Sequence, residues 1–180
     1  KHLLFFALLA AAAVAQSSPP SAITDPEAQE IVRLARDQSV LNRPGLSPRE
    51  RRLAYDAAGV AMVERARAFL AKNASGSDRA EVILATVGRS PQFIRAIEPA
   101  FDENAQGIYI TYDEQKKQAF EAEGLALLRS VRADPATSER QRGQAGRSLL
   151  LRQISQAETK EELDAAQRDI ESLAAEGHEE

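Results

Sequence analysis

The sequence predicts an all-α fold, a single helical bundle of about six to seven helices after a cleaved signal peptide. Three observations lead there. Helix-capping pairs recur along the chain, apolar residues between them return every three or four positions, and glycine or proline punctuates the intervals. Only Gly107-Ile108-Tyr109-Ile110-Thr111 reads as extended, and five residues are too few to seed a sheet.

The elements follow in order. Residues 1–15 combine a basic flank (Lys1, His2), the apolar run Leu3 to Leu9, and small residues at Ala13 and Ala15 before polar Gln16. That is the pattern of a bacterial export leader, too short to serve as a permanent membrane span. Residues 16–23 form a polar, proline-containing linker, residues 24–177 the helical domain, and residues 178–180 a tail. Helices are expected at 25–41, 48–72, 78–88, 91–101, 112–132, 137–157 and 160–176. Thr24 with Glu27, Ser47 with Glu50, Thr111 with Glu114, Ser138 with Gln141 and Thr159 with Glu162 mark the starts. Pro44-Gly45, Asn73 to Gly76, Gly88 and Gly177 mark the stops.

The apolar stripes give each helix a face to bury. Leu53, Ala57 and Val60 lead into Val63, Ala66, Phe69 and Leu70. Phe120, Leu127, Leu128 and Val131 form a second stripe around Gly124, and Leu163, Ala166, Ile170, Leu173 and Ala174 a third. Leu149-Leu150-Leu151 places apolar groups on more than one face, which suits a helix at the centre of the bundle.

Composition narrows function. Removing the leader leaves 165 residues with 22 basic and 27 acidic side chains, a charge of about −5. That balance argues against nucleic acid as a partner. The chain has no cysteine, so an exported fold must rest on packing rather than disulfides. Its two histidines are His2, inside the leader, and His178, near the end. Ser-His and Cys-His nucleophiles, the usual zinc sites and iron–sulfur clusters therefore lack their residues. A carboxylate-based hydrolase of cell-wall glycan stays open, although the chain offers no tryptophan and few aromatics for a sugar platform.

One loop carries oxygen ligands at calcium-like spacing. In residues 101–114, Asp102, Asn104 and Gln106 alternate, Gly107 permits a sharp turn, and Asp113 or Glu114 closes. With Phe101 and Phe120 flanking, the segment 91–125 resembles a degenerate EF-hand, the helix–loop–helix calcium module. The resemblance implies Asp102 and Asn104 as monodentate ligands, Gln106 as a third, Thr111 direct or through water, and Glu114 as the bidentate closer. Gln106 is longer and neutral where the family has Asp, Asn or Ser. Placing Ile110 and Glu114 on the family pattern also requires one extra residue after Gly107. The same residues equally make a plain interhelical turn, with Thr111 and Glu114 as a capping box.

Two basic stretches stand out. Arg49, Arg51 and Arg52 cluster at a helix start, where the dipole disfavours positive charge; they read as a solvated face pairing with Glu50 and Asp56, or as a contact for an anionic partner. Arg140, Arg142, Arg147 and Arg152 surround Gly143 and Gly146 and read as a loosened helix start. The sequence thus leads us to expect an exported, periplasmic or secreted binding protein without catalytic activity. Its partner would be a protein, with no stable membrane anchor once the leader is removed. A calcium-binding module and a glycan hydrolase are the alternatives.

Overall fold

A computed structural model describes residues 23–99 and 108–157, together with 159–161, 164–165 and 167–168. The expected signal peptide, the Thr159–Glu162 capping pair's second member and Gly177 lie outside the described residues. Within them the protein is mostly helical, with five α-helices and a single two-stranded hairpin. The helices are α1 (Pro26–Arg36), α2 (Pro48–Lys72), α3 (Ser77–Arg89), α4 (Glu114–Ala133) and α5 (Glu139–Gln156). A 3-10 turn, Ser39–Asn42, follows α1. Of the helix expected over 160–176, residues 160–161, 164–165 and 167–168 are described, and those are helical.

Capping chemistry sets most boundaries. Ser47 and Glu50 form the expected reciprocal box at the start of α2, and Ser138 with Gln141 does the same for α5. Two other starts are shifted. Asp25, not Thr24, caps α1, accepting from the N–H groups of Glu27 and Ala28 at 2.7 and 3.2 Å. Asp113, not Thr111, caps α4 by accepting from Lys116 N–H, because Thr111 is taken up by a strand. α1 also ends sooner than periodicity suggests. The Asp37 carboxylate accepts from Ser39 N–H at 2.8 Å, a local turn that competes with continuing the helix.

The largest departure from expectation is residues 91–101. Ile94–Pro99 is β1, not a helix, and pairs antiparallel with β2 (Ile108–Tyr112), so the extended segment that looks too short to seed a sheet does form one. Ile97 faces Ile110, Glu98 faces Tyr109, and a bulge separates Ile94 from Ala96. Pro91 and Pro99 bracket this stretch too closely for a stable helix, while its isoleucines suit a pleated pair. Ile97 is fully buried against the bundle.

Chain direction follows from the end contacts. The Asp78 carboxylate in the first turn of α3 accepts from Thr24 Oγ1 at 2.7 Å and from the backbone N–H of Asp25 at 2.8 Å, so α1 and α3 start together. Arg89 at the end of α3 donates to the Leu34 and Asp37 carbonyls, so they also finish together. Lys72 near the end of α2 reaches Glu27 near the start of α1, which makes α2 antiparallel. Asp134 after α4 accepts from Gly76 N–H before α3, so α4 is antiparallel as well. Gln141 and Arg152 of α5 bond Ser77 and Val87 of α3 in parallel order. Helices α1, α3 and α5 run one way, and α2 and α4 the other.

α3 is the central helix. Ala80, Glu81, Val82, Ile83, Leu84, Thr86 and Val87 are all buried, which wraps the helix nearly all round. Val82 joins a cluster with Ile31, Met62, Ala66, Phe69 and Phe120; Ile83 and Val87 join a second with Leu128, Val131 and Ala145. The Leu149–Leu151 helix is therefore not the centre: Leu150 is buried, but Leu151 is 62% exposed. On α2 the buried face runs through Asp56, Gly59, Met62, Val63, Ala66 and Phe69. The first part of the expected stripe is off by one position, and Ala57 is exposed.

Gly76 has φ +110°, a conformation that glycine adopts without strain, and it turns the chain directly into α3. The helical glycines of α4 and α5 are different. A Cβ at Gly143 meets nothing within 4 Å, and one at Gly124 makes ordinary contact with Val87 at 3.5 Å. Gly143→Ala and Gly124→Ala should each stabilise the protein by about 0.5–1 kcal/mol, read from urea unfolding midpoints. A lower midpoint for Gly143→Ala would show that α5 needs a bend there.

The Asp78 tether also predicts a pH effect. Burial raises its pKa, but hydrogen bonds from the Thr24 hydroxyl and the Asp25 and Thr24 N–H groups outweigh that and hold it below the ordinary 3.8. A carboxyl depressed in the folded state stabilises above its unfolded pKa, and this contribution fades as pH falls through the folded value. Asp78→Asn should cost about 1–3 kcal/mol at pH 7. Its deficit against the parent should shrink below pH 3.8, and a deficit constant across that window would refute the linkage.

Candidate functional site

Two clefts adjoin where α1 and α3 finish and α2 begins, and the first runs back from there along α3 to Glu81 and the start of α5. The first, of about 410 Å³, is lined by Arg36, Gln38, Tyr55, Glu81, Arg89, Arg140 and Gln144, among others. The second, of similar volume, is lined by Arg51, Arg52, Tyr55, Asp56, Arg89 and Gln92 with Leu41 and Ile94. Tyr55 and Arg89 belong to both and form the wall between them.

Arg89 is fixed from several sides. Its guanidinium lies 4.4 Å from the centre of the Tyr55 ring and donates to the carbonyls of Leu34, Asp37 and Tyr55. Those of Leu34, which also accepts from Asp37 N–H, and of Asp37 lie at the negative pole of α1, so a cation there is favoured. Carbonyls hold the group in place but do not cancel its charge. Asp37 lies near enough for Arg89 to help keep its carboxyl low, after the hydrogen bonds from Ser39 and the Arg33 charge.

Asp56 is the second organising group. It is 8% exposed, and its two oxygens accept from the backbone N–H groups of Gln92 (2.6 Å), Phe93 (3.2 Å) and Ile94 (2.7 Å). These bonds hold Phe93 at φ +54°, a left-handed conformation that costs an aromatic residue about 1–3 kcal/mol. The Phe93 ring then meets Phe120 at 5.8 Å. Asp56 therefore positions the entry into β1 and is not an exposed partner for the arginines, as the sequence suggests. A usable cue lies in its spacing, since Asp56, Gly59, Met62, Ala66 and Phe69 keep helical phase.

Glu81, on α3, closes the first cleft from inside. Its Oε1 accepts from Arg140 and from Gln141 Nε2, and the same amide donates to Ser77. Arg140 is thus a ligand of the core network and a lining residue, not part of a loosened helix start; α5 is continuous from its capping box to Gln156. Asp56 and Glu81, the two buried carboxylates among the described residues, line different clefts and are occupied by these bonds.

The arginines at this end divide by task. Arg51 supports the connection after α1 through the Leu46 and Leu41 carbonyls, and Arg52 donates to Gln92 at 2.9 Å. Arg36 and Arg43 are exposed, with no side-chain hydrogen bond or ion pair among the described residues. Arg49 is exposed too and lowers the Glu50 carboxyl slightly, behind the stronger effect of the Ser47 bonds. Residues 36–52 carry five arginines against Asp37 and Glu50, so this end is basic in a chain of net charge −4.

Of the expected calcium ligands, Asp102, Asn104 and Gln106 lie outside the described residues. Thr111 is exposed on β2, and Glu114 opens α4 with its carboxylate 3.8 Å from Lys117. The segment entering that loop is a strand, so on the described residues the helix–loop–helix frame is present only on the exit side. No cluster of three or more acidic or histidine side chains suited to a metal ion occurs among the described residues.

No protein-family model matches the chain, and neither the curated proteins nor the solved structures yield a match.

Removing Asp56 tests the scaffold of the second cleft. Asp56→Ala leaves three backbone donors without their acceptor and should cost on the order of 3 kcal/mol. Amide exchange at Gln92, Phe93 and Ile94 should accelerate in step. Unchanged protection there would show that the carboxylate does not hold the turn.

Proposed function

We propose that this chain is an exported helical binding protein without catalytic activity, and that it engages an acidic protein partner through its basic end. The observation that carries the reading is the concentration of positive charge around the Tyr55–Arg89 wall in an otherwise acidic chain. Opposite charge on a partner would be steered to such a face and held in register by it. Export is supported by the basic flank, apolar run and small residues of the first fifteen positions, and an exported chain would act in the periplasm or outside the cell. The buried carboxylates support binding over hydrolysis, because Asp56 and Glu81 are already engaged in separate clefts and do not face each other across a sugar-sized gap.

Arg43 and Arg49 give a clean test. Both are exposed, and a glutamate at position 49 improves the fit to the α2 N-terminus, so the double variant Arg43→Glu, Arg49→Glu should fold as well as the parent. The parent should be retained on immobilised poly-glutamate at about 50 mM salt and released by about 200 mM, as exposed charge contacts are screened. The double variant should pass through. A parent protein that is not retained, or a variant retained equally, removes the basic end as the binding face.

A further inference from the structure

We infer that the first cleft is a pocket for a small anion bearing carboxylate or phosphate groups, bound between Arg36, Arg89 and Arg140 with the side-chain amides of Gln38 and Gln144. The inference rests on the basic end being a binding face, and adds a defined ligand site to it.

Three helices each contribute one arginine: Arg36 closes α1 and Arg89 closes α3 at one end of the cleft, and Arg140, in the first turn of α5 beside Glu81, stands towards the other. Tyr55 of α2 supplies an apolar wall and locks Arg89 by stacking. The single carboxylate in the lining, Glu81, is 7% exposed and answers one arginine of the three. Positive charge is therefore left over inside a concave site. Gln38 and Gln144 make no side-chain hydrogen bond among the described residues and retain free amide donors.

These are the groups that anion recognition uses. A guanidinium presents a planar fork matched to two oxygens of a carboxylate or phosphate, and amide N–H groups fill the remaining acceptor positions. A volume of about 410 Å³ falls in the range of small-molecule sites and suits a di- or tricarboxylate or a compact phosphate ester. Two of the three arginines are held before any ligand arrives, Arg89 by carbonyls and Arg140 by Glu81, so little ordering is left for binding to supply. Arg36 alone is free to close onto the ligand.

Calorimetric titration of the full chain with citrate, and separately with inorganic phosphate, tests this at ionic strength matched with sodium chloride. Saturable one-to-one binding of at least one probe below about 10 mM is expected. Citrate alone would assign a carboxylate ligand, and phosphate alone a phosphate ligand. Arg36→Gln should weaken binding about five- to tenfold, the loss of one charge-assisted contact at a partly solvated site. Gln144→Glu, which puts a second carboxylate into the cleft, should abolish it. Arg129→Gln makes the same charge change on exposed α4, outside the lining, and should bind as the parent does. Failure of both probes to saturate, or equal weakening by Arg36→Gln and Arg129→Gln, overturns the pocket. Retention on poly-glutamate reads the binding face separately, so a parent that is retained yet binds neither probe loses the pocket alone.

Discussion

Arg89 holds the basic end of this protein together. One guanidinium joins the end of α1, the second turn of α2 and the end of α3, using the Leu34, Asp37 and Tyr55 carbonyls and the face of the Tyr55 ring. Helix termini are where backbone acceptors go unpaired, and a cation placed there meets both the hydrogen-bonding need and the dipole. A lysine would offer one point charge where the geometry requires a fork and a flat stacking surface. Because the same side chain walls both clefts, the contact that closes the bundle also shapes what the surface can bind.

The hairpin depends on a second polar anchor. A strand pair of this length is marginal alone, and β1 gains stability only by pressing Ile97 into the bundle. The chain must first leave α3 and reverse, and Asp56 makes that turn by collecting three successive N–H groups. The positive φ of Phe93 is sustained because those bonds and the Phe120 contact together outweigh it. Gly59 fits the same design: its missing side chain admits Pro91, whose Cβ would lie 3.3 Å from an added methyl group.

Legibility in the sequence tracked the range of the interactions. Ser47 with Glu50 and Ser138 with Gln141 are caps within one turn, and such local pairs read directly as helix starts. Thr24 and Thr111 fit the same pattern, but longer-range partners claim them: Thr24 is bonded to Asp78 fifty-four residues away, and Thr111 pairs across the hairpin with Ala96. The strand at 94–99 escaped because helical spacing of Phe93, Ile94 and Ile97 is indistinguishable from a short strand until the partner is known. The clefts were less legible still. The Arg49–Arg52 cluster marks their neighbourhood, but Arg36, Arg89 and Arg140 are spread over more than a hundred residues and come to line one cleft only because α1 and α5 both pack along α3.

Fold stability does not account for the charge at this end. Arg51, Arg52 and Arg89 have structural tasks, and Arg36 sits favourably at a helix C-terminus. Arg43 and Arg49 have neither. Arg49 lies in the first turn of α2, where a positive charge is unfavourable by about 0.3–1 kcal/mol, and Arg52, three residues on along the same face, adds like charge. Glu50 offsets part of this, but its carboxylate is already committed to the Ser47 hydroxyl and N–H. Arg49 is thus a partly compensated cation that the helix tolerates at a cost and does not use. The arginines with structural tasks and those without share the stretch 36–52, so the segment that closes the bundle with Arg51 and Arg52 also concentrates positive charge in an acidic chain.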